Sequence, residues 1–449
     1  MDLSPGAEHT ALTQWAVSHG INIKGIAPAR FPGRGLGMVA TRVIRKNETM
    51  LSVPVNLMLT RDSIPKSFVS LFPEDAMNHA LLVALLCHGD STTQPGLDIW
   101  RRVWPSWEDF ETSMPIFWPG WLRRSNPDAE DTAQSRRATA AGSAISDSDP
   151  RPSPNLSLLP PSISGLWNTI PNQNPKARSN SNSEAAPTYT HEIRYQNLLP
   201  RQEKRLLDTW DAVRSVFPET DWKSFAYNWA IINSRSFYYL SPGKEEPTDW
   251  NDAIGMVPFA DYFNHADDAA CEVTFDGDMY RFQASRRYEK GEEVYMSYGA
   301  HSNDFLLVEY GFCPDQNPSD GVYLDDIILP ELTRSERKEL AEREHFGNYE
   351  ITASGADSST MAAASIKYMS RSQWRDHVDG ASDRGFDASK TASVVRGWIE
   401  IYQRECNVTI TSLEELLKSE KEKEKVALTL ARWKQIQRLC ECAVISMTD

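Results

Sequence analysis

Cysteine is scarce in this chain of 449 residues, with only Cys87, Cys271, Cys313, Cys406, Cys440 and Cys442, and no two of them form a C-x-x-C pair. That spacing argues against a disulfide framework. The start, Met1-Asp2-Leu3-Ser4-Pro5-Gly6, has neither the basic residues nor the apolar run of a secretory leader, so a reducing compartment, cytoplasmic and/or nuclear, is expected. Long apolar runs are missing too: no segment approaches the ~20 residues of a membrane-spanning helix, and no membrane association is expected. Positive charge is in deficit, 47 Lys and Arg against 62 Asp and Glu, for a formal net charge of -15. Direct nucleic-acid binding is therefore not expected, and the acidic balance suits a basic, lysine-bearing protein partner.

The chain is longer than one core usually fills, so two domains with inserted segments are expected. Ala11 to Val17 has the spacing of a short helix stopped by Gly20. Two β-leaning runs follow, Gly35-Leu36-Gly37-Met38-Val39-Ala40-Thr41 and Thr49-Met50-Leu51-Ser52-Val53-Pro54, separated by the polar turn Arg45-Lys46-Asn47-Glu48. Residues 77–88 read as a buried apolar helix, and residues 204–216 and 221–237 as two more. Between them, residues 125–190 are rich in Ser, Pro, Asn and Ala with almost no periodicity. A segment of that composition cannot offset its ordering entropy, so a disordered spacer is expected there, with residues 156–170 as a possible local interaction motif. Deleting residues 128–184 is accordingly expected to leave the core intact. After residue 325 helical patterns take over at 333–345, 359–369, 390–406 and 412–443, the last opened by a cap-like Thr411-Ser412-Leu413-Glu414-Glu415. Residues 418–425 read as a solvated charged face.

The chemistry concentrates in residues 250–315. A strand-like run ends in Val257-Pro258-Phe259-Ala260-Asp261-Tyr262-Phe263-Asn264-His265. It is followed by Gly291-Glu292-Glu293-Val294-Tyr295-Met296-Ser297-Tyr298-Gly299 and then by Ser302-Asn303-Asp304, closing in Tyr310-Gly311-Phe312. Together these resemble the catalytic half of a SET-domain protein methyltransferase, of the Rubisco large-subunit methyltransferase class. Trp104, Trp107, Pro115 and Trp118 resemble the tryptophan- and proline-bearing element that leads into the helical insert of that class, and Ser234-Arg235-Ser236-Phe237 resembles its S-R-x-F element. Gly33-Arg34-Gly35-Leu36-Gly37 looks like the cofactor turn of the same fold. It has neither the spacing of a dinucleotide fingerprint nor the Lys-Ser/Thr ending of a P-loop, and by itself a plain glycine-rich turn explains it equally well.

The resemblance implies an α+β fold. Residues 1–20 would form an N-terminal helix and residues 21–315 a SET domain of small β-sheets with a pseudoknot-like closure. A helical insert is expected at about 77–240, and residues 325–449 would form an all-α, substrate-binding C-terminal domain. The implied activity is methyl transfer from S-adenosylmethionine to a lysine of a non-histone protein. Tyr298 would be the catalytic residue and would also touch the cofactor, alongside Gly35, Leu36, Gly37, Arg235, Asn264 and His265. The acceptor lysine would lie among Phe237, Tyr239, Asp261, Tyr310 and Phe312. No metal is expected, and the chain is expected to be a monomer. The class has members that methylate a histidine of actin, which carry Asn after S/T-R-x and Trp before the Asp of D-x-x-N-H; Phe237 and Ala260 stand at those positions here and favour lysine. Histone-type members follow the Asn-His pair with Pro-Asn and carry a cysteine-rich tail, and this chain has neither.

Two other readings compete. Asp261, His265, Asp267, Asp268 and Glu272 could hold a hard cation in a metal-dependent hydrolase, although no second histidine stands near. The chain could also be a catalytically inactive SET scaffold that binds a partner through its C-terminal helices.

Overall fold

In a computed structural model of the chain the described residues are 4–31, 35–90, 96–124, 156–171, 189, 191–241, 243–247, 250–418 and 422–447. Gly33 and Arg34 of the glycine turn and most of the 125–190 stretch lie outside them. The chain divides into two compact units, residues 1–110 with 204–300 and residues 111–203 with 301–449. The division falls inside the segment expected as a single insert.

The first unit is built on a four-stranded antiparallel sheet in the order Asn22–Ile23, Thr49–Pro54, Met279–Ala284, Cys271–Phe275. Strand Met279–Ala284 alternates as the pleat requires, with Tyr280, Phe282 and Ala284 buried and the residues between them partly exposed. The turn before it is closed by Asp276, whose Oδ1 accepts the N–H groups of Asp278 and Met279 at 3.1 and 2.9 Å. Two antiparallel pairs complete the sheets, Ile26–Phe31 with Gly35–Ala40 and Ser236–Tyr238 with Ile254–Met256. Helix Asn78–His88 is apolar on every side and its residues 79–86 are all buried; it packs on helix Trp222–Arg235, whose N-terminus is capped by Asp221.

Two crossings close this unit. Residues 291–294 lie along the outer edge of strand Gly35–Ala40, with Val294 N–H donating to the Met38 carbonyl at 2.7 Å and Ala40 N–H to the Glu292 carbonyl at 2.8 Å. Just beyond, the chain runs parallel to Asn264-His265-Ala266: Met296 N–H donates to the Asn264 carbonyl at 2.9 Å and Ala266 N–H to the Met296 carbonyl at 3.1 Å. This is the knot-like closure expected of the sequence.

The second unit is mostly helical and departs from expectation in three places. It carries a small antiparallel sheet of Gly321–Tyr323, Glu350–Thr352 and Gly355–Ala356, so it is not all-α. Strands this short leave no readable period. Residues 388–416 form one helix, and the cap expected at Thr411-Ser412 lies inside it. The two hydroxyls bond back to the carbonyls of Asn407 and Val408 at 2.8 and 3.1 Å, the alternative open to Ser and Thr within a helix. The chain turns instead before helix Lys423–Ser446, and residues 419–421 of the expected charged face lie outside the described residues.

The third departure concerns residues 156–171, which are ordered and packed where a spacer was expected. Leu158, Leu159, Ile163, Leu166 and Trp167 are buried. This short apolar cluster is flanked on both sides by long Ser-, Pro- and Asn-rich sequence, which masks it in the composition of the whole stretch. The expectation that residues 128–184 can be removed without effect on the core therefore fails for this part. The unit is fastened elsewhere by a fully buried Arg432 on helix Lys423–Ser446, whose guanidinium meets Asp304 at 2.6 Å and Asp320 at 2.6 and 3.0 Å. Asn303 Nδ2 donates to Gln435 at 2.9 Å, so the Ser302-Asn303-Asp304 motif serves as an anchor for that helix.

Candidate active site

The site grows from the knot-like closure, where the backbone is forced close to itself. Phe259, fully buried, adopts a φ of 71°, unfavourable for a residue with a side chain, and turns the chain into the single helical turn Ala260–Tyr262. That turn is held from the N-terminal helix Ala7–Ser18 by His9, whose Nδ1 lies 2.7 Å from the Tyr262 hydroxyl. Burial holds the His9 imidazole below its usual pKa, and Arg30 adds to the effect.

Asp261 projects from this turn into the interior. Its Oδ2 accepts Trp100 Nε1–H at 3.0 Å and the Arg235 guanidinium at 3.2 Å, and Arg235 donates to the Asp261 carbonyl at 2.9 Å as well. Burial pushes the Asp261 carboxyl upward, an effect that Arg235 and Trp100 oppose. Asp261 Oδ1 is buried with no hydrogen-bond partner among the described residues. Arg235 and Asp261, expected in separate cofactor and substrate roles, are thus one ion pair.

Asn264 sits under strand Gly35–Ala40. Its Nδ2 donates to the Leu36 carbonyl at 2.9 Å and to Glu293 Oε1 at 2.8 Å, while Glu293 Oε2 accepts the Tyr295 hydroxyl at 2.7 Å. Both amide protons are committed, and the Asn264 Oδ1 remains as an acceptor. Gly37 is glycine because a Cβ there would lie 2.6 Å from Glu293 Oε1 and 2.7 Å from Asn264 Nδ2. Gly35 has a φ of 76° and nothing within 4 Å of a notional Cβ, an open position on the same strand.

Tyr298 lies at the end of the closing segment. Its hydroxyl donates to the Phe263 carbonyl at 2.7 Å and its N–H donates to His265 Nδ1 at 3.0 Å, which leaves the imidazole proton on Nε2. Burial pushes the pKa of this hydroxyl up to about 12, with Arg235 opposing and Asp261 adding. Toward any further ligand the oxygen acts as an acceptor, because its proton is already given to the carbonyl.

Of the remaining expected residues, Phe237 is half-buried and edge-on to Tyr280 and Phe282, with centroids 6.1 and 6.0 Å away, and Phe282 stacks at 5.3 Å on Phe263, whose carbonyl holds Tyr298. Tyr239 is buried and gives its hydroxyl to Asp62 at 3.0 Å. Tyr310 and Phe312 belong to the second unit, where their rings lie 6.3 Å apart. The sequence reading missed Glu293 as the anchor of Asn264, Trp100 as a partner of Asp261, and His9. Only Glu293 stood in a motif that could have revealed it.

The strand pairing of residues 35–40 with 291–294, the Asn264-His265 crossing and the Tyr298 hydroxyl form one connected unit, and a model of the SET domain matches the chain over residues 35–299. The chain belongs to the SET-domain family. It is 29% identical to the ribosomal lysine N-methyltransferase set11 of Schizosaccharomyces pombe over 39% of this chain and 44% of that protein. It is 21% identical to the human SET domain-containing protein 4 over 74% of this chain and 64% of that one. The chain thus spans less than two thirds of the length of either relative. Among solved structures, the SET domain of LSMT bound to lysine and AdoHcy superposes with a TM-score of 0.56 at 14% identity, over 99% of this chain and 92% of that one.

Within this SET domain the metal reading finds no support in the geometry. Asp261 is paired with Arg235, and His265 Nδ1 accepts a backbone N–H. Among the described residues no three His, Cys, Asp or Glu side chains gather as a cation site. Among those residues, too, no helix is long and apolar enough to cross a membrane.

Proposed function

We propose that the chain is an S-adenosylmethionine-dependent protein-lysine N-methyltransferase acting on a non-histone protein, with a ribosomal protein as the favoured acceptor. The observation that carries this reading is the Tyr298 hydroxyl, which gives its proton to the Phe263 carbonyl and so keeps an oxygen lone pair available to accept from an incoming amine. S-adenosylmethionine, when bound, supplies a methyl group on a sulfonium. Leu36 and the two glycines beside it offer backbone at close approach, and Asn264 Oδ1 and the backbone at His265 offer acceptors and donors, a set that fits the ammonium and adenine ends of that molecule.

A lysine must arrive neutral, which from its ordinary pKa of ~10.4 costs ~4–5 kcal/mol at neutral pH. The aromatic set of Phe237, Tyr239, Phe263 and Phe282 favours the uncharged amine by desolvation. Tyr298 then accepts an N–H of the amine and aims its lone pair. With its pKa at about 12 it does so as the neutral phenol, not as a base, and the displaced proton leaves to solvent. The ribosomal acceptor is supported by the name of the fission-yeast relative and by the acidic charge of this chain. Monomeric state and cytoplasmic or nuclear residence complete the proposal.

The test is incubation with radiolabelled S-adenosylmethionine and hypomethylated ribosomal extract, followed by mass spectrometry of the labelled peptides. We expect methyllysine, abolished by Tyr298→Phe with cofactor affinity kept within about 3-fold. Methylhistidine in the product, or unimpaired turnover in the variant, refutes the assignment. Cofactor binding without transfer to any protein favours the inactive scaffold instead.

A further inference from the structure

Residues 156–171 dock on the second unit in the manner of a bound peptide. Pro160 and Pro161 open a single helical turn, Pro161–Ser164, which Gly165 ends in the left-handed region with a φ of 71°. Asn168 then folds back on Ser157, accepting its N–H at 2.8 Å and donating to its carbonyl at 2.9 Å, so the segment is clipped into a closed loop by its own side chain. Its apolar residues are inserted into the unit. Trp167 meets Tyr402 edge to face at 5.0 Å and donates its indole N–H to Asp326 at 2.8 Å, and Trp433 returns a bond to the Leu158 carbonyl at 2.7 Å.

The decisive group is Glu405, on helix Ala388–Leu416 and fully buried. Its Oε1 accepts the Asn168 N–H at 2.8 Å; its Oε2 accepts the Thr169 N–H at 2.8 Å and the Thr169 hydroxyl at 2.7 Å. All three donors come from the docked segment. A carboxylate is costly to bury unless such partners are present, so this one is placed for two successive backbone N–H groups and a hydroxyl from another part of the chain. Thr409, one turn on, adds a contact to Asn168 Nδ2 at 3.2 Å. The sequence on both sides, residues 125–155 and 172–188, is Ser-, Pro- and Asn-rich and lacks comparable anchors.

We propose that helices Ala388–Leu416 and Lys423–Ser446 form a peptide-recognition site whose ligand is the chain's own segment 156–171, held as a linear motif and replaceable by a separate peptide of the same sequence. The chemistry it recognises is a Pro-Pro turn, a buried tryptophan, and an Asn-Thr pair that offers its backbone to Glu405. This inference is independent of the methyltransferase reading.

The test uses the full chain with a specific protease site placed in each of residues 125–155 and 172–188. After cleavage the excised piece should co-elute with the protein and then exchange for a fluorescein-labelled synthetic peptide of residues 156–171, followed by polarisation. Against unaltered nicked protein, a peptide carrying Asn168→Ala and Thr169→Ala should compete at least tenfold more weakly, and Glu405→Gln in the protein should weaken the native peptide to a similar degree. Failure of the excised piece to exchange over days in excess peptide, or unfolding of the protein as it leaves, overturns the proposal by marking the segment as fixed core. Equal competition by the double variant overturns the assignment of the Asn168-Thr169 pair as a recognition element, whether or not Glu405→Gln folds.

Discussion

A single methyl group added at Gly37 tests the cofactor half of the site most sharply. The Cβ of Gly37→Ala would stand 2.6 Å from Glu293 Oε1, 2.7 Å from Asn264 Nδ2 and 3.0 Å from Phe31 Cε2, so the carboxylate and the amide must each withdraw by about 0.7–0.8 Å to reach ordinary contact. They are bonded to each other at 2.8 Å, and Asn264 is also bonded to the Leu36 carbonyl at 2.9 Å; moving the amide breaks at least one of these. A hydrogen bond to a charged partner contributes ~1.5–3 kcal/mol, and that loss of preorganisation, passed to the ligand, weakens S-adenosylmethionine by ~10–150-fold. The Tyr298 to Phe263 bond is untouched, so kcat at saturating cofactor should stay within about 3-fold. Titration calorimetry of cofactor on both proteins, with a thermal melt to verify folding, gives the answer. Wild-type affinity in the variant would show that Asn264 does not hold the cofactor, and a fall in kcat with unchanged affinity would place the Glu293 and Asn264 pair in the chemical step.

Three further outcomes are expected. Activity should rise with pH as the acceptor lysine loses its proton, up to about pH 10; above that, Tyr239, Tyr280, Tyr288 and Tyr298, all raised to about 12 chiefly by burial, ionise more readily unfolded than folded. Stability fully present below pH ~10 is therefore lost toward pH 12, and a Tm measured across that window should fall; a flat Tm contradicts the burial of these hydroxyls. His79, both ring nitrogens buried without a partner among the described residues, has its pKa lowered to about 3 by burial and by Arg205, so its contribution is intact above pH ~6.5 and declines as pH drops toward 3. His79→Leu should move the acid-unfolding midpoint, read by tryptophan fluorescence, to lower pH, and an unmoved midpoint refutes it. Arg432→Met leaves Asp304 and Asp320 without their buried cation and should cost ~3–5 kcal/mol in denaturant unfolding; a loss under ~1 kcal/mol would mean that water replaces the guanidinium.

The knot-like closure was legible because its parts are short motifs with fixed side-chain needs: Asn264, His265 and Tyr298 lie close together in it, and Gly37 proves constrained by sterics. What escaped were partnerships without a local signature. Trp100 finds Asp261 across 161 positions, and Glu405 finds Thr169 across 236, and neither end advertises the other. Hydroxyl residues misled at Thr411-Ser412, where the same groups that cap a helix also bond back within one. Residues 156–171 were hidden by polar neighbours whose composition outweighed five large, buried apolar side chains.

The edge contact between strand Gly35–Ala40 and residues 291–294 has a consequence in time. Val39 bridges to Glu293, so a strand made near the start of synthesis must wait for a partner about 250 residues later. At the usual ~5–20 residues per second this is ~13–50 s during which the hairpin of residues 26–40 leaves the ribosome with one hydrogen-bonding edge bare, a template for pairing with other chains. Nascent chains of this protein should therefore depend on a chaperone that shields strand edges, and the dependence should end once synthesis passes residue 298. Ribosome-bound chains arrested before and after that point, compared for chaperone occupancy by crosslinking, would reveal the change, and equal occupancy of the two would refute it.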